Sequence, residues 1–236
     1  MRIQRVQDNT KFQSKNNPIK PFVMNTKYGR LYVAEISQKE LKDEKFLRNL
    51  VRFFIKNFAS STKDPYWLEY NKNPQNRGKM IDGYIDYLRP VLKSGDDNLT
   101  LLMAKDKVGR TCGACLSYSL SSVKGAKDTT CYVEGLAVDS KYRGCKLGER
   151  LLNTTMEANK KTFTDVFLKG EMFAAGFYKR LGFETMTADK PSQADVVKVL
   201  AAQGEGYPDY IKFFTKALQN SKPRWFEVVS ERLKNS

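Results

Sequence analysis

The chain has 236 residues, with 41 Lys and Arg against 26 Asp and Glu for a formal net charge of +15, and it contains no His. Without imidazole, Ser-His-Asp and Cys-His hydrolysis and the usual catalytic zinc sites are excluded, leaving carboxylates, Tyr, Cys, Lys and Ser as the reactive side chains. With 41% apolar and 12% aromatic residues the chain can bury a core, and its length suits one domain with additions.

No secretory signal accompanies Cys112, Cys115, Cys131 and Cys145, and no apolar run approaches the roughly 18 residues of a membrane span. The expectation is a reduced, cytoplasmic protein without membrane association. Cys112 and Cys115 make a lone C-x-x-C inside a stretch that reads as a strand, so they are expected on opposite sheet faces, with no metal bound. The basic excess is uneven: residues 1–30 carry seven basic side chains against Asp8 alone, while residues 60–98 carry six of each sign. Such a tail reads as a solubility element with weak, salt-dependent attraction to polyanions, and a dedicated nucleic-acid site is not expected.

In chain order, residues 1–29 read as a flexible basic arm rich in Asn, Gln and Lys, and residues 30–190 as the folded domain. Residues 191–236 form an extension packed on that domain. Leu31 to Ile36 alternates as a first strand, and Phe46, Leu47, Leu50, Val51, Phe54 and Phe58 recur at helical spacing. Asp64 to Asn76 reads as irregular and aromatic. A second helix carries Ile81, Tyr84, Ile85, Leu88 and Leu92, with Pro90 expected to end or kink it. Leu99 to Lys105 and Thr111 to Ser122 read as a hairpin, followed by a strand over Thr130 to Val138. Leu147, Leu151, Leu152, Thr155 and Met156 line a third helix. A strand at Val166 to Lys169, a helix over Phe173 to Leu181 and a strand at Phe183 to Thr187 follow. The order is β-α-α-β-β-β-α-β-α-β. Beyond it, Val196 to Ala202 and Tyr210 to Leu218 read as helical, and Arg224 to Ser230 as a closing strand or a further helix.

From Tyr132 to Gly148 the chain reads Y-V-E-G-L-A-V-D-S-K-Y-R-G-C-K-L-G, a strand that enters a basic, Gly-containing loop and opens a helix. Free backbone N–H groups at such a helix start, with the helix dipole behind them, suit a diphosphate. The spacing fits neither a Walker loop nor a G-x-G-x-x-G dinucleotide turn.

Val138, Tyr142, Arg143, Gly144, Leu147 and Gly148 resemble the V-x-x-x-Y-R-G-x-G-x-G acyl-CoA motif of the GNAT superfamily of acetyl-CoA-dependent N-acetyltransferases. Ala174, Phe177, Tyr178, Leu181, Gly182 and Phe183 look like that family's second motif, A-x-x-F-Y-x-x-L-G-F. Lys146 departs from the first motif's middle Gly, and Glu171 replaces the Asn that commonly begins the second. The resemblance implies an α/β fold with a mixed, splayed sheet flanked by helices. It also implies acetyl-CoA as co-substrate, with no metal, its diphosphate on Arg143, Gly144, Cys145, Lys146, Leu147 and Gly148. A backbone N–H from Leu136, Ala137 or Val138 would polarise the thioester carbonyl.

The implied reaction is direct acetyl transfer to a primary amine. Glu134, read as sharing a strand face with Leu136 and Val138, is the expected base, and partial desolvation would raise its pKa. Tyr178 is the expected acid for the departing thiolate, and Cys145 is not assigned as a nucleophile. Tyr66, Trp67, Glu69, Tyr70, Asp82, Tyr84, Asp86 and Tyr87 are candidates for holding a cationic acceptor by rings and carboxylates. The alternatives are a catalytically degenerate CoA-binding module and a basic nucleic-acid-associated protein.

Overall fold

The computed structural model describes residues 19–62, 65–93, 99–119, 130–186 and 211–218. Among them the strands are β1 (Phe22–Thr26), β2 (Gly29–Glu35), β3 (Thr100–Lys105), β4 (Thr111–Ser119), β5 (Thr130–Val138), β6 (Asp165–Glu171), β7 (Glu184–Met186) and β8 (Ile211–Ala217). The helices are α1 (Gln38–Leu41), α2 (Glu44–Ala59), α3 (Pro65–Lys72), α4 (Arg77–Lys93), α5 (Leu147–Asn159) and α6 (Ala175–Arg180). The strands form one sheet in the order β1-β2-β3-β4-β5-β6-β8-β7. Neighbours are antiparallel except β5 and β6, which run parallel because the α5 crossover joins them.

The apolar stripe read at Leu47, Leu50, Val51 and Phe54 is buried along α2, whose first turn is capped by Asp43 accepting from the Phe46 N–H at 2.7 Å. With Ile81, Tyr84, Ile85 and Leu88 of α4 it covers one face of the sheet. Leu147, Leu151, Leu152 and Met156 of α5 cover the other, together with Phe177, Tyr178 and Leu181 at α6. The helix α4 runs through Pro90. The missing N–H there leaves only the Asp86 carbonyl without its usual donor, and Asp86 is on the exposed side, open to solvent.

Strand pairing begins before Arg30, inside the segment read as an arm. Phe22 pairs with Val33 and Thr26 with Gly29 across a tight turn that places Gly29 at φ 111°. Phe22 and Met24 turn toward the α5 side of the core, an alternation too short to stand out in so polar a segment. The aromatic stretch after Asp64 contains α3, not only irregular chain. The helix read over Tyr210 to Leu218 is instead β8, hydrogen-bonded to β6 and β7. Its β-branched and aromatic residues fit a strand, and Phe214 and Thr215 are buried there. The readings at Val196 to Ala202 and Arg224 to Ser230 lie outside the described residues.

Two bulges change which side chains share a face. Between β3 and β4, Ala104 pairs with Gly113 and Lys105 with Thr111, leaving Cys112 as the extra residue. Cys112 and Cys115 therefore sit together on the α5 side, not on opposite faces, and both are free thiols. Between β4 and β5, Leu116 pairs with Gly135 and Ser117 with Val133, so Glu134 is the extra residue.

Candidate active site

The strands β5 and β6 pair from Thr130 with Asp165 to Val133 with Leu168, and then part. Beyond that point β5 stays with β4 as far as Val138, while β6 stays with β8 as far as Glu171. A gap opens at Glu134. In an extended strand bonded on one side only, alternate N–H groups face away from the partner, so the edge of β5 around Leu136, Ala137 and Val138 presents backbone donors to the gap.

The bulge decides where Glu134 points. Leu136 and Val138 belong with α5 and α6, whereas Glu134 turns to the opposite face, toward α4, correcting the expectation that the three share a face. The extra residue shifts the alternation, and Gly135 follows Glu134 to the same side, where a Cβ would lie 2.9 Å from the Phe54 ring. Tyr84 donates to Glu134 Oε1 at 2.7 Å, while Tyr118 at 2.7 Å and Tyr87 at 3.2 Å donate to Oε2. Burial raises the Glu134 pKa above the ordinary glutamate range. The phenol donors, chiefly Tyr118 and Tyr84, and the charge of Lys169 on β6 oppose that rise without cancelling it. Burial and the neighbouring carboxylate likewise push the Tyr84 and Tyr118 phenols far up, so both stay protonated as donors.

Sequence reasoning placed Tyr84 and Tyr87 in an acceptor region but did not link them to Glu134, and it missed Tyr118. A phenol in an otherwise small and apolar strand was the available signal for Tyr118, because a buried hydroxyl needs a partner. The carboxylates read as acceptor candidates have partners of their own. Asp82 pairs with Arg48 at 2.5 Å, Asp86 with Arg89 at 3.5 Å, and Glu69 accepts from Asn76 at 2.9 Å. Glu171 accepts a hydrogen bond from Thr62, tying the end of β6 to the segment after α2.

On the α5 side of the gap, the loop after β5 is held down by Tyr142, which is buried against the same cluster as Cys112. Gly144 follows at φ 76° and Lys146 at φ 60°. A left-handed Lys is strained, and it adopts here the conformation that a glycine takes freely, so the loop keeps its course despite the substitution. No side chain caps α5, unlike α1 and α2, so the N–H groups of Leu147, Gly148 and Glu149 lack an intrahelical partner. A Cβ at Gly148 would come within 3.4 Å of Val138, 3.7 Å of Phe177 and 4.0 Å of Leu136. Both motifs and β5 therefore converge on this one glycine.

The Arg143 guanidinium turns away from the helix start. It donates to the Asn57 carbonyl at 3.2 Å, Ser60 Oγ at 2.7 Å and the Val138 carbonyl at 3.3 Å, joining the end of α2 to the end of β5. Cys145 is a half-buried free thiol in the same loop. The Tyr178 ring packs 4.8 Å from Phe214 and 5.8 Å from Phe183, and Gly170 gives it room, since a Cβ there would lie 3.1 Å from the ring. Its hydroxyl bonds to no described residue. Burial and the nearby Cys115 push its pKa upward, so it is a protonated phenol at neutral pH.

A sheet opened between two parallel strands, with an uncapped helix start at the opening, defines an acetyltransferase fold of the GNAT type. The family model for the acetyltransferase (GNAT) domain matches residues 97–185, which span that opening. Among solved structures, the chain is similar to an acetyltransferase of the GNAT family from Staphylococcus aureus, at 16% identity and a TM-score of 0.50 over 80% of this chain and 99% of that one. A protein from Pyrococcus horikoshii matches at 19% identity and a TM-score of 0.50, again over 80% of this chain and 99% of that one. A GNAT-family structure from Desulfovibrio desulfuricans matches at 15% identity and a TM-score of 0.51, over 79% and 99%. At these identities the likeness is one of fold. No curated protein matches the sequence. Among the described residues, no helix is long and apolar enough to cross a membrane, and no three His, Cys, Asp or Glu side chains cluster as metal ligands do.

Proposed function

We propose that the protein moves an acetyl group from acetyl-CoA to a primary amine by direct attack, with Glu134 as base and Tyr178 as acid. The observation that carries this reading is the bulge at Glu134. It turns a carboxylate of raised pKa to one face of the gap, while the bare edge of β5 and the uncapped start of α5 stay open on the other.

Each requirement of acyl transfer has a residue suited to it. The N–H groups of Leu147 and Gly148, with those of Gly144 and Lys146, suit a diphosphate, those of Arg143 and Cys145 being donated to the Ser140 and Tyr142 carbonyls, and the absence of a side chain at Gly148 leaves the cradle unfilled. Lys146, the residue just before α5, carries a positive charge that can balance the diphosphate. A backbone N–H among Leu136, Ala137 and Val138 polarises the thioester carbonyl and stabilises the oxyanion. Glu134 accepts the proton that the amine must lose, and Tyr178 supplies one to the departing thiolate. The amine nitrogen attacks the thioester carbon, so the cysteines have no covalent part.

The test is release of free thiol from acetyl-CoA in the presence of an amine panel, with mass spectrometry of the amine. Thiol and acetylated amine should appear one for one, and Glu134→Gln should slow both. Thiol release without an acetylated amine would make the protein a thioester hydrolase instead.

A further inference from the structure

The Glu134 carboxylate is held by Tyr84, Tyr87 and Tyr118, and these phenols differ in one respect that bears on how a proton arrives. Tyr84 and Tyr118 are buried at 8% and 0% exposure, whereas Tyr87 is 49% exposed. Tyr84 occupies Oε1, while Tyr118 and Tyr87 both donate to Oε2, so Oε2 has both of its in-plane positions filled. The Tyr87 ring is fixed by stacking on Tyr84, at 5.8 Å between centroids and 6° between planes, which leaves its hydroxyl between Glu134 and the outside of α4.

From this arrangement we infer that Tyr87 is a catalytic residue, the hydroxyl through which Glu134 takes the acceptor's proton. The inference rests on the acetyltransferase reading above. In the step, an N–H bond of the ammonium breaks and its proton joins Tyr87 Oη. The proton that Tyr87 carried passes along the existing 3.2 Å hydrogen bond to Glu134 Oε2. The nitrogen keeps the electron pair and attacks the thioester carbon, and Tyr87 ends as it began, a neutral phenol; as the C–S bond then breaks, the thiolate takes the Tyr178 proton, and the second N–H proton, released through water, restores Tyr178. After turnover the proton leaves Glu134 for water by the reverse route. The surroundings suit the passage. Tyr84 on α4, Tyr118 on β4 and the exposed Lys169 on β6 act on the carboxylate besides Tyr87, and the two buried phenols remain protonated donors, so Tyr87 is the phenol of the set in contact with solvent.

The experiment compares wild type, Tyr87→Phe, Glu134→Gln and the double variant, with acetyl-CoA and two probe amines. Benzylamine is an ammonium ion at neutral pH, and aniline is already a free base. Tyr87→Phe keeps the ring stacked on Tyr84 and removes only the hydroxyl, so its melting temperature should match wild type. The ratio of the benzylamine rate to the aniline rate should fall roughly 100-fold, the loss of one proton transfer. With benzylamine the double variant should be no slower than Glu134→Gln alone, because both residues serve a single path. Equal losses with the two amines, or losses that multiply in the double variant, would overturn the relay while leaving the acetyltransferase reading intact. A wild-type protein that acetylates neither amine, nor any other, would overturn that reading and the relay with it.

Discussion

Tyr118 Oη lies 2.7 Å from Glu134 Oε2 across the bulge that separates their strands. A carboxylate so held still has a raised pKa, because burial outweighs the donors. The folded protein therefore binds this proton more tightly than the unfolded chain does. The stability that Glu134 contributes is complete below the ordinary glutamate value and is lost as pH rises through its folded value. Glu134→Gln, which cannot ionise, should gain melting temperature relative to wild type between about pH 4 and neutrality. Thermal melts across that range check it, and a difference that shrinks as pH rises would contradict the sign. In turnover the same group should set an acidic limb above the ordinary glutamate range, absent from the Gln variant.

Lys146→Gly should stabilise the protein. Relief of a left-handed non-glycine residue gains about 1–2 kcal/mol, and the added freedom of the unfolded chain takes back about 0.4–1 kcal/mol. The net expectation is a gain of roughly 1 kcal/mol, read from denaturant melts. A loss of stability would mean that the Lys146 side chain makes a contact worth more than its strain.

Arg143→Ala should lower the melting temperature of the protein without ligand by more than it weakens acetyl-CoA binding. Its guanidinium joins Asn57 and Ser60 to Val138, and exposed hydrogen bonds of this kind are worth about 1 kcal/mol together after solvent screening. Gly148→Val should do the reverse, since its methyl groups enter the space before Val138 and Phe177 at the start of α5. Calorimetric binding of acetyl-CoA to the two variants, beside their thermal melts, separates a strut from a cradle.

Much of this arrangement was legible in the sequence because its signals are local. The helical stripes of α2 and α4, the strand into the 143–148 loop and the second motif around Tyr178 can each be read within a few turns of chain. The bulges at Cys112 and Glu134 could not be read, since an extra residue is defined only against a partner strand, and one such residue moves every later side chain to the other face. For that reason strict alternation aligns Glu134 with Leu136 and Val138, and it sets the cysteine pair on opposite faces. The strands β1 and β8 were hidden for a related reason, because their short alternation acquires meaning from β2, β6 and β7, which lie beside them only in the folded sheet. The Arg143 side chain was read as a phosphate ligand from its place in the motif. Its partners at the end of α2, Asn57 and Ser60, are 86 and 83 residues away in the chain.

Tyr178→Phe should reduce turnover by roughly 10- to 1000-fold while leaving the melting temperature and acetyl-CoA affinity nearly unchanged. The ring contacts with Phe214 and Phe183 survive the substitution, and only the proton for the thiolate is lost. An alternative thiol acid would reveal itself as wild-type turnover in this variant.

The most direct measurement is a single-turnover reaction of the protein with acetyl-CoA and an amine panel, following free thiol and acetylated amine together in wild type and Glu134→Gln. Wild type should give equal amounts of the two products, and Glu134→Gln a rate lowered by roughly 100-fold or more at neutral pH with acetyl-CoA still bound. Acetyl-CoA bound by both proteins with no acetyl group leaving it in either would rule out acetyl transfer and make the chain a binding module built on an acetyltransferase fold.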